Sequence, residues 1–235
     1  MHIAEIPDEI EFAKTRQGLS TVEHLHNLGV LGSNLLAVHT VWLTNREIDL
    51  FKLYDVKVSH NPAAAMKVVL GFASIPEMLH KKIPVSIGTD GAPSNNRMDM
   101  MREMYLTSLI HKGRTLDPTI VPAEQILEMA TLNGAKCALL DHEIGSLEVG
   151  KKADMILLNP NTIHSLPLHN PIGNIVYSMS SENVDSTICD GKWLMKERKV
   201  LVVNEDELLE KVKYQSEKIR KKANINLKSS FNIIQ

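Results

Sequence analysis

The sequence predicts an α/β protein, with a parallel βα layer first, a small antiparallel β module after it and a charged helix at the end. Three observations carry this. Over residues 1–112, short apolar or β-branched runs alternate with amphipathic stretches, the pattern of repeated βα units. Four of those runs deliver a His, Glu or Asp: His2-Ile3-Ala4-Glu5, Ala37-Val38-His39, Val56-Lys57-Val58-Ser59-His60, and Ile83 to Ile87 followed by Gly88-Thr89-Asp90. Past residue 143 the pattern changes to short strands broken by Gly and Asp. Successive parallel strands bring such side chains to one end of the sheet, as at the C-terminal mouth of a (β/α) barrel.

The elements follow in order. Pro7-Asp8-Glu9 suits a first helical turn, where Pro lacks only an unpaired N–H and acidic groups meet the positive end of the dipole. Thr44-Asn45-Arg46-Glu47 has the form of a capping box opening a helix that runs to Tyr54. Over 97–111, Met98, Met101, Tyr105 and Leu109 recur near helical spacing and predict a core-facing stripe. Pro122 to Leu132 reads as a helix that Asn133-Gly134 should stop. Ile144 to Asp154 leads into a strand, Met155 to Leu158, and Val184 to Val203 reads as strands turned at Asp190-Gly191. Residues 205–225 predict an amphipathic helix whose Lys211, Lys213, Lys218, Arg220, Lys221 and Lys222 form a solvated face. The expected division is a partial barrel over 1–143, a partial β module over 144–204, and a helix with tail over 205–235.

Composition narrows the partners. A chain of 235 residues, 43% hydrophobic, buries a substantial core. Its net charge of -2, with both signs interspersed, offers no broad cationic field, so neither nucleic acid nor a membrane is an expected partner. Apolar runs fall far short of the roughly 20 residues that cross a bilayer, and the opening lacks the basic-then-apolar order of a signal peptide. A soluble, cytoplasmic protein is expected. Cys137 and Cys189, far apart and in no CxxC, argue against a disulfide scaffold or a thiolate zinc site.

Taken together and in order, five segments resemble one family. They are His2-x-x-Glu5, Ala37-Val38-His39-x-Val41-Trp42, Ser59-His60-Asn61-Pro62, Gly88-Thr89-Asp90-Gly91-Ala92-Pro93-Ser94-Asn95-Asn96, and Gly145-Ser146-Leu147-Glu148-Val149-Gly150-Lys151-Lys152-Ala153-Asp154. The chain resembles the C-terminal part of a metal-dependent amidohydrolase, in the branch of methylthioadenosine/S-adenosylhomocysteine deaminases and triazine hydrolases. A lone histidine or aspartate at such a place is ordinarily a structural or capping group. Only the joint pattern gives these residues a functional meaning.

The resemblance implies strands five to eight of a TIM (β/α)8 barrel, then part of a small β-sandwich. It implies one divalent ion, zinc first and iron as the alternative, with His2 and Asp90 as metal ligands. Glu5, His39 and Asp90 are the implied catalytic residues: Glu5 gives a proton to a ring nitrogen of the substrate, and Asp90 and His39 manage the proton of the attacking water. Glu5, His60, Asn61 and Asp90 are the implied substrate-binding residues. The implied substrate is a small aminopurine nucleoside, with a triazine or guanine as alternatives, and self-association into a homo-oligomer stays open. Members of this branch carry a His-x-His pair on the first barrel strand, and the expectation is that this chain, beginning at the fifth strand, carries none. The expectation is therefore a fragment of a longer enzyme, inactive alone, or a non-catalytic product that pairs with another subunit.

Overall fold

The computed structural model describes residues 1–225. Its first layer is a four-stranded parallel sheet, hydrogen-bonded in sequence order: β1 (His2–Ile3), β2 (Leu36–His39), β3 (Lys57–His60) and β4 (Val85–Ile87). The register sets Ile3 beside His39, Val38 beside Ser59 and His60 beside Ile87, so the C-terminal ends of all four strands are level. Residues just past those ends therefore share one rim.

Helices follow each strand because the local sequence allows little else. Pro7–Gln17 starts with Pro at its first turn, carries Asp8 and Glu9 there, and ends at Gly18, whose φ of 71° closes the C-cap. Asn45–Leu53 opens on the expected capping box: the Glu47 amide donates to Thr44 Oγ1 at 3.3 Å, and the Thr44 amide donates to Glu47 Oε2 at 2.7 Å. Short helices Pro62–Lys67, Ile75–His80 and Ala92–Asn95 then lead to the long helix Met100–Thr115. The core lies between the sheet and these helices. Ile3, Ala37, Val58 and Val85 from the strands meet Ile48, Phe51, Met78, Ile126 and Met129, all fully buried.

Two sequence expectations are corrected. Asn133-Gly134 does not stop a helix; the break comes at Thr131 (φ -122°, ψ -88°), and both residues lie inside a second helix, Leu132–Cys137. That helix seats Ala135 and Cys137 in the interior, with Cys137 Sγ 3.5 Å from the Pro84 carbonyl, so burial overrides a local stop signal. In Met100–Thr115 the inward face is Met101, Met104, Ser108 and His111, while Met98, Tyr105 and Leu109 are exposed. The inward face also carries Glu103 and Thr107, which composition alone would have sent to solvent.

The second layer is antiparallel: β5 (Met155–Leu158), β6 (Val184–Cys189), β7 (Lys192–Lys196) and β8 (Lys199–Val200), again in sequence order. Asp190 and Gly191, with φ of 49° and 74°, form the two-residue turn that joins Cys189 to its partner Lys192. Asp154 supports that turn, its Oδ1 accepting from the Asp190 amide at 2.6 Å. Between β5 and β6 an unanticipated helix, Pro171–Tyr177, returns to the first layer and buries Val176 in its core. Helix Glu205–Lys222 is capped by Asn204 and buries none of its residues. Among the described residues, no helix is long and apolar enough to cross a membrane.

Candidate functional site

At the level rim of the parallel sheet, the chain turns through left-handed backbone at His39 and Asp90 and immediately before Glu5. Ala4 has φ 53°, His39 73°, Thr40 53° and Asp90 61°. None is glycine, and a non-glycine residue in this region costs about 1–2 kcal/mol. Such strain gathers where a side chain must be aimed. Glu9 fixes the first of these turns, its carboxylate accepting from the amides of Ala4 and Glu5 at 2.8 and 2.9 Å.

The turns bring His2, Glu5 and His39 together. Glu5 Oε1 lies 3.6 Å from His39 Nε2, Glu5 Oε2 lies 3.5 Å from His2 Nδ1, and the two imidazoles meet edge to face with centroids 4.6 Å apart. One donor atom from each of the three falls within 4.8 Å of the others. His39 is 2% exposed, and neither of its ring nitrogens has a hydrogen-bond partner. Burial pushes its pKa down against the upward pull of Glu5, so the ring is neutral and carries a free lone pair. The neutral His39 imidazole on the buried side, with the His2 imidazole and the Glu5 carboxylate toward solvent, suits a zinc-like ion, and an orphaned imidazole nitrogen is a donor in want of a partner.

Asp90 stands just outside this trio. Its Oδ1 accepts from the Gly91 amide at 2.6 Å and its Oδ2 from Ser94 Oγ at 2.8 Å. Burial raises its proton affinity, but those two bonds, with His39 and His2 nearby, outweigh it and hold the carboxyl below the usual range. The tightest cluster is thus His2, Glu5 and His39, with Asp90 as an ionised neighbour. His39 joins the donors, a part the sequence reading did not give it.

His60 and Asn61 lie at the end of β3 but are 3% and 4% exposed. His60 Nε2 faces His111 Nε2 at 3.2 Å, and burial, then His111 and His39, keep its pKa well below the ordinary value. Asn61 packs against Gly88, where a Cβ would come within 2.8 Å of its amide nitrogen. His111, Glu103 and Asn95 escaped the sequence reading; His111 meets its partner 51 residues away, and nothing local announces that. The chain does contain one His-x-His, His24-Leu25-His26, but it lies on the helix Thr21–Asn27, with His26 beside Tyr54, away from the trio.

A parallel sheet whose strand ends gather imidazoles and carboxylates around a common point is the layout of metal-assisted hydrolases built on βα units. The chain belongs to the Amidohydrolase family, whose model matches residues 1–194. It is 40% identical over 94% of its length to the 5'-deoxyadenosine deaminase of Methanobrevibacter smithii. It is 42% identical over 93% of its length to the 5-methylthioadenosine/S-adenosylhomocysteine deaminase of Syntrophomonas wolfei. It covers 51% of each, so the chain spans about half the length of these relatives. A crystal structure of an adenosine deaminase from Xanthomonas campestris with bound zinc superposes with a TM-score of 0.92 at 29% identity, over 94% of this chain and 50% of that one.

Proposed function

We propose that residues 1–143 supply strands five to eight of a (β/α)8 barrel, residues 144–204 part of a β-sandwich, and that the completed barrel is a hydrolytic deaminase of aminopurine nucleosides. The observation that carries this is the trio His2, Glu5 and His39 at one rim, with ionised Asp90 beside it. The names of the relatives, deaminases of adenosine-type nucleosides, support the substrate class.

His2 and Asp90 would hold a divalent ion, zinc by donor type. When bound, such an ion supplies Lewis acidity and brings the ionisation of water down to near neutral pH. The remaining work falls to side chains. Asp90, ionised, takes the proton of the attacking water at a carboxylate oxygen. Glu5 carries a proton to a ring nitrogen of the purine, so that the amino-bearing carbon accepts the attack and ammonia leaves. Neutral His39 orients the water through a ring nitrogen, and buried His60 and Asn61 shape the wall beside it.

Ammonia release from 5'-deoxyadenosine, methylthioadenosine and S-adenosylhomocysteine tests the reading, for the chain alone and co-expressed with the first half of a relative's barrel. The expected result is turnover in the combined preparation and its loss in Asp90→Ala. Full activity of Asp90→Ala, or no ammonia from any of the three substrates, overturns it.

A further inference from the structure

Glu103 is a fully buried carboxylate that the chemistry above leaves without a task. It sits in the first turn of Met100–Thr115, and its oxygens reach in two directions. Oε2 accepts from the Ala63 amide at 3.0 Å, and Oε1 accepts from Asn95 Nδ2 at 2.8 Å. Asn95, 3% exposed, passes the connection on. Its Nδ2 also donates to the Thr89 carbonyl at 2.7 Å, and its Oδ1 accepts from the amides of Arg97 and Met98 at 3.1 and 3.3 Å. Thr89 immediately precedes Asp90, and Ala63 follows the His60-Asn61-Pro62 turn. One carboxylate therefore ties together the loops that leave β3 and β4.

Hydrophobic packing does not explain this placement. An apolar side chain would fill the same volume without desolvating a carboxylate, whose burial against neutral N–H groups is costly. What the carboxylate adds is direction, since it accepts from two loops at once. The turn it steadies is one a non-glycine residue adopts unwillingly, with Asp90 at φ 61°.

We propose that Glu103, acting through Asn95, is a positioning residue: it fixes the Thr89 carbonyl and with it the left-handed turn that presents the Asp90 carboxylate to His2 and His39. This rests on the role given to Asp90 above. Glu103→Gln turns an NH2 group toward one of the two N–H donors, so one bond must break. Asn95→Ala removes the links to Glu103, Thr89, Arg97 and Met98 and leaves the Glu103–Ala63 bond in place.

The test uses the full chain, with amide hydrogen exchange and a Co²⁺ titration followed by visible absorption. In Glu103→Gln, exchange in segments 61–65 and 88–96 should rise by about tenfold or more, while residues 36–39 stay protected. In Asn95→Ala the rise should be confined to 88–98. Both variants should bind Co²⁺ about 10- to 100-fold more weakly, with an altered band. If Glu103→Gln does not fold, Asn95→Ala decides. Unchanged exchange at 88–96, or a rise shared equally by residues 36–39, overturns the proposal. Asp90→Asn separates the two readings. If it abolishes Co²⁺ binding while Glu103→Gln and Asn95→Ala keep parental affinity and band, the positioning role alone fails; if it binds Co²⁺ unchanged, the role of Asp90 fails and the positioning role with it.

Discussion

The parallel and antiparallel sheets of this chain contain the same number of strands and differ in almost everything else. Every residue of β3 and β4 except Ser59 is buried, whereas no residue of β5, β7 or β8 is. The parallel strands are covered by helices and stay buried even where Lys57, His60 and Ser86 interrupt their apolar residues. The antiparallel strands carry Ile156, Leu157 and Trp193 nearly half exposed. Every candidate site residue sits on the parallel layer. Left-handed non-glycine residues occur in both layers, at Ala4, His39 and Asp90 and again at Asp190, Glu197 and Arg198, but only the first set lies at the ends of buried parallel strands.

That contrast can be broken most directly by truncation. Phe51→Ala, in the fully buried core, should cost about 3–5 kcal/mol of stability in urea unfolding, whereas Leu157→Ala on the antiparallel sheet should cost less than about 1 kcal/mol. Equal costs would mean that the two layers share one cooperative core after all.

Acid sharpens it next. Burial, helped by Arg114, lowers the His111 pKa from 6.5 to about 4. The folded state therefore favours the neutral ring, and between these values the unfolded chain binds more protons. The contribution is complete above pH 6.5 and is lost as pH falls toward 4, by about 3 kcal/mol. His60 shifts in the same direction. Urea midpoints measured across this window should fall steeply for the parent chain and less steeply for His111→Phe; parallel slopes would show that His111 is not held neutral. The smallest expected effect lies in the other layer. Gly191→Ala places a Cβ at φ 74° with open space around it, so only backbone strain opposes it, and about 1 kcal/mol should be lost. Hydrogen exchange should place that loss in β6 and β7 and leave β2 unchanged.

Much of this was legible in the residues themselves. The capping box at Thr44, the Pro7 helix start and the Asp190-Gly191 hairpin are local devices whose partners lie within a few positions, and each forms as read. His39 and Asp90 could be singled out because each follows an apolar run, and His2 and Glu5 because they fall with those two in one joint pattern. Local reading failed where burial decided the outcome. It misplaced the inward face of Met100–Thr115, carried a helix past the break at Thr131 to a stop at Asn133-Gly134, and passed over Pro171–Tyr177.

The sequence by itself determined the parallel-then-antiparallel order, the helix starts and the hairpin turn, because periodicity, caps and turns are short-range properties of a chain. Only the tertiary structure decided that His39 loses every hydrogen-bond partner, that Asp90 stands outside the tightest donor cluster, that His60 turns to His111, and that Glu103 binds two loops. Those outcomes depend on strand register and on desolvation by residues tens of positions away, and no local pattern encodes either.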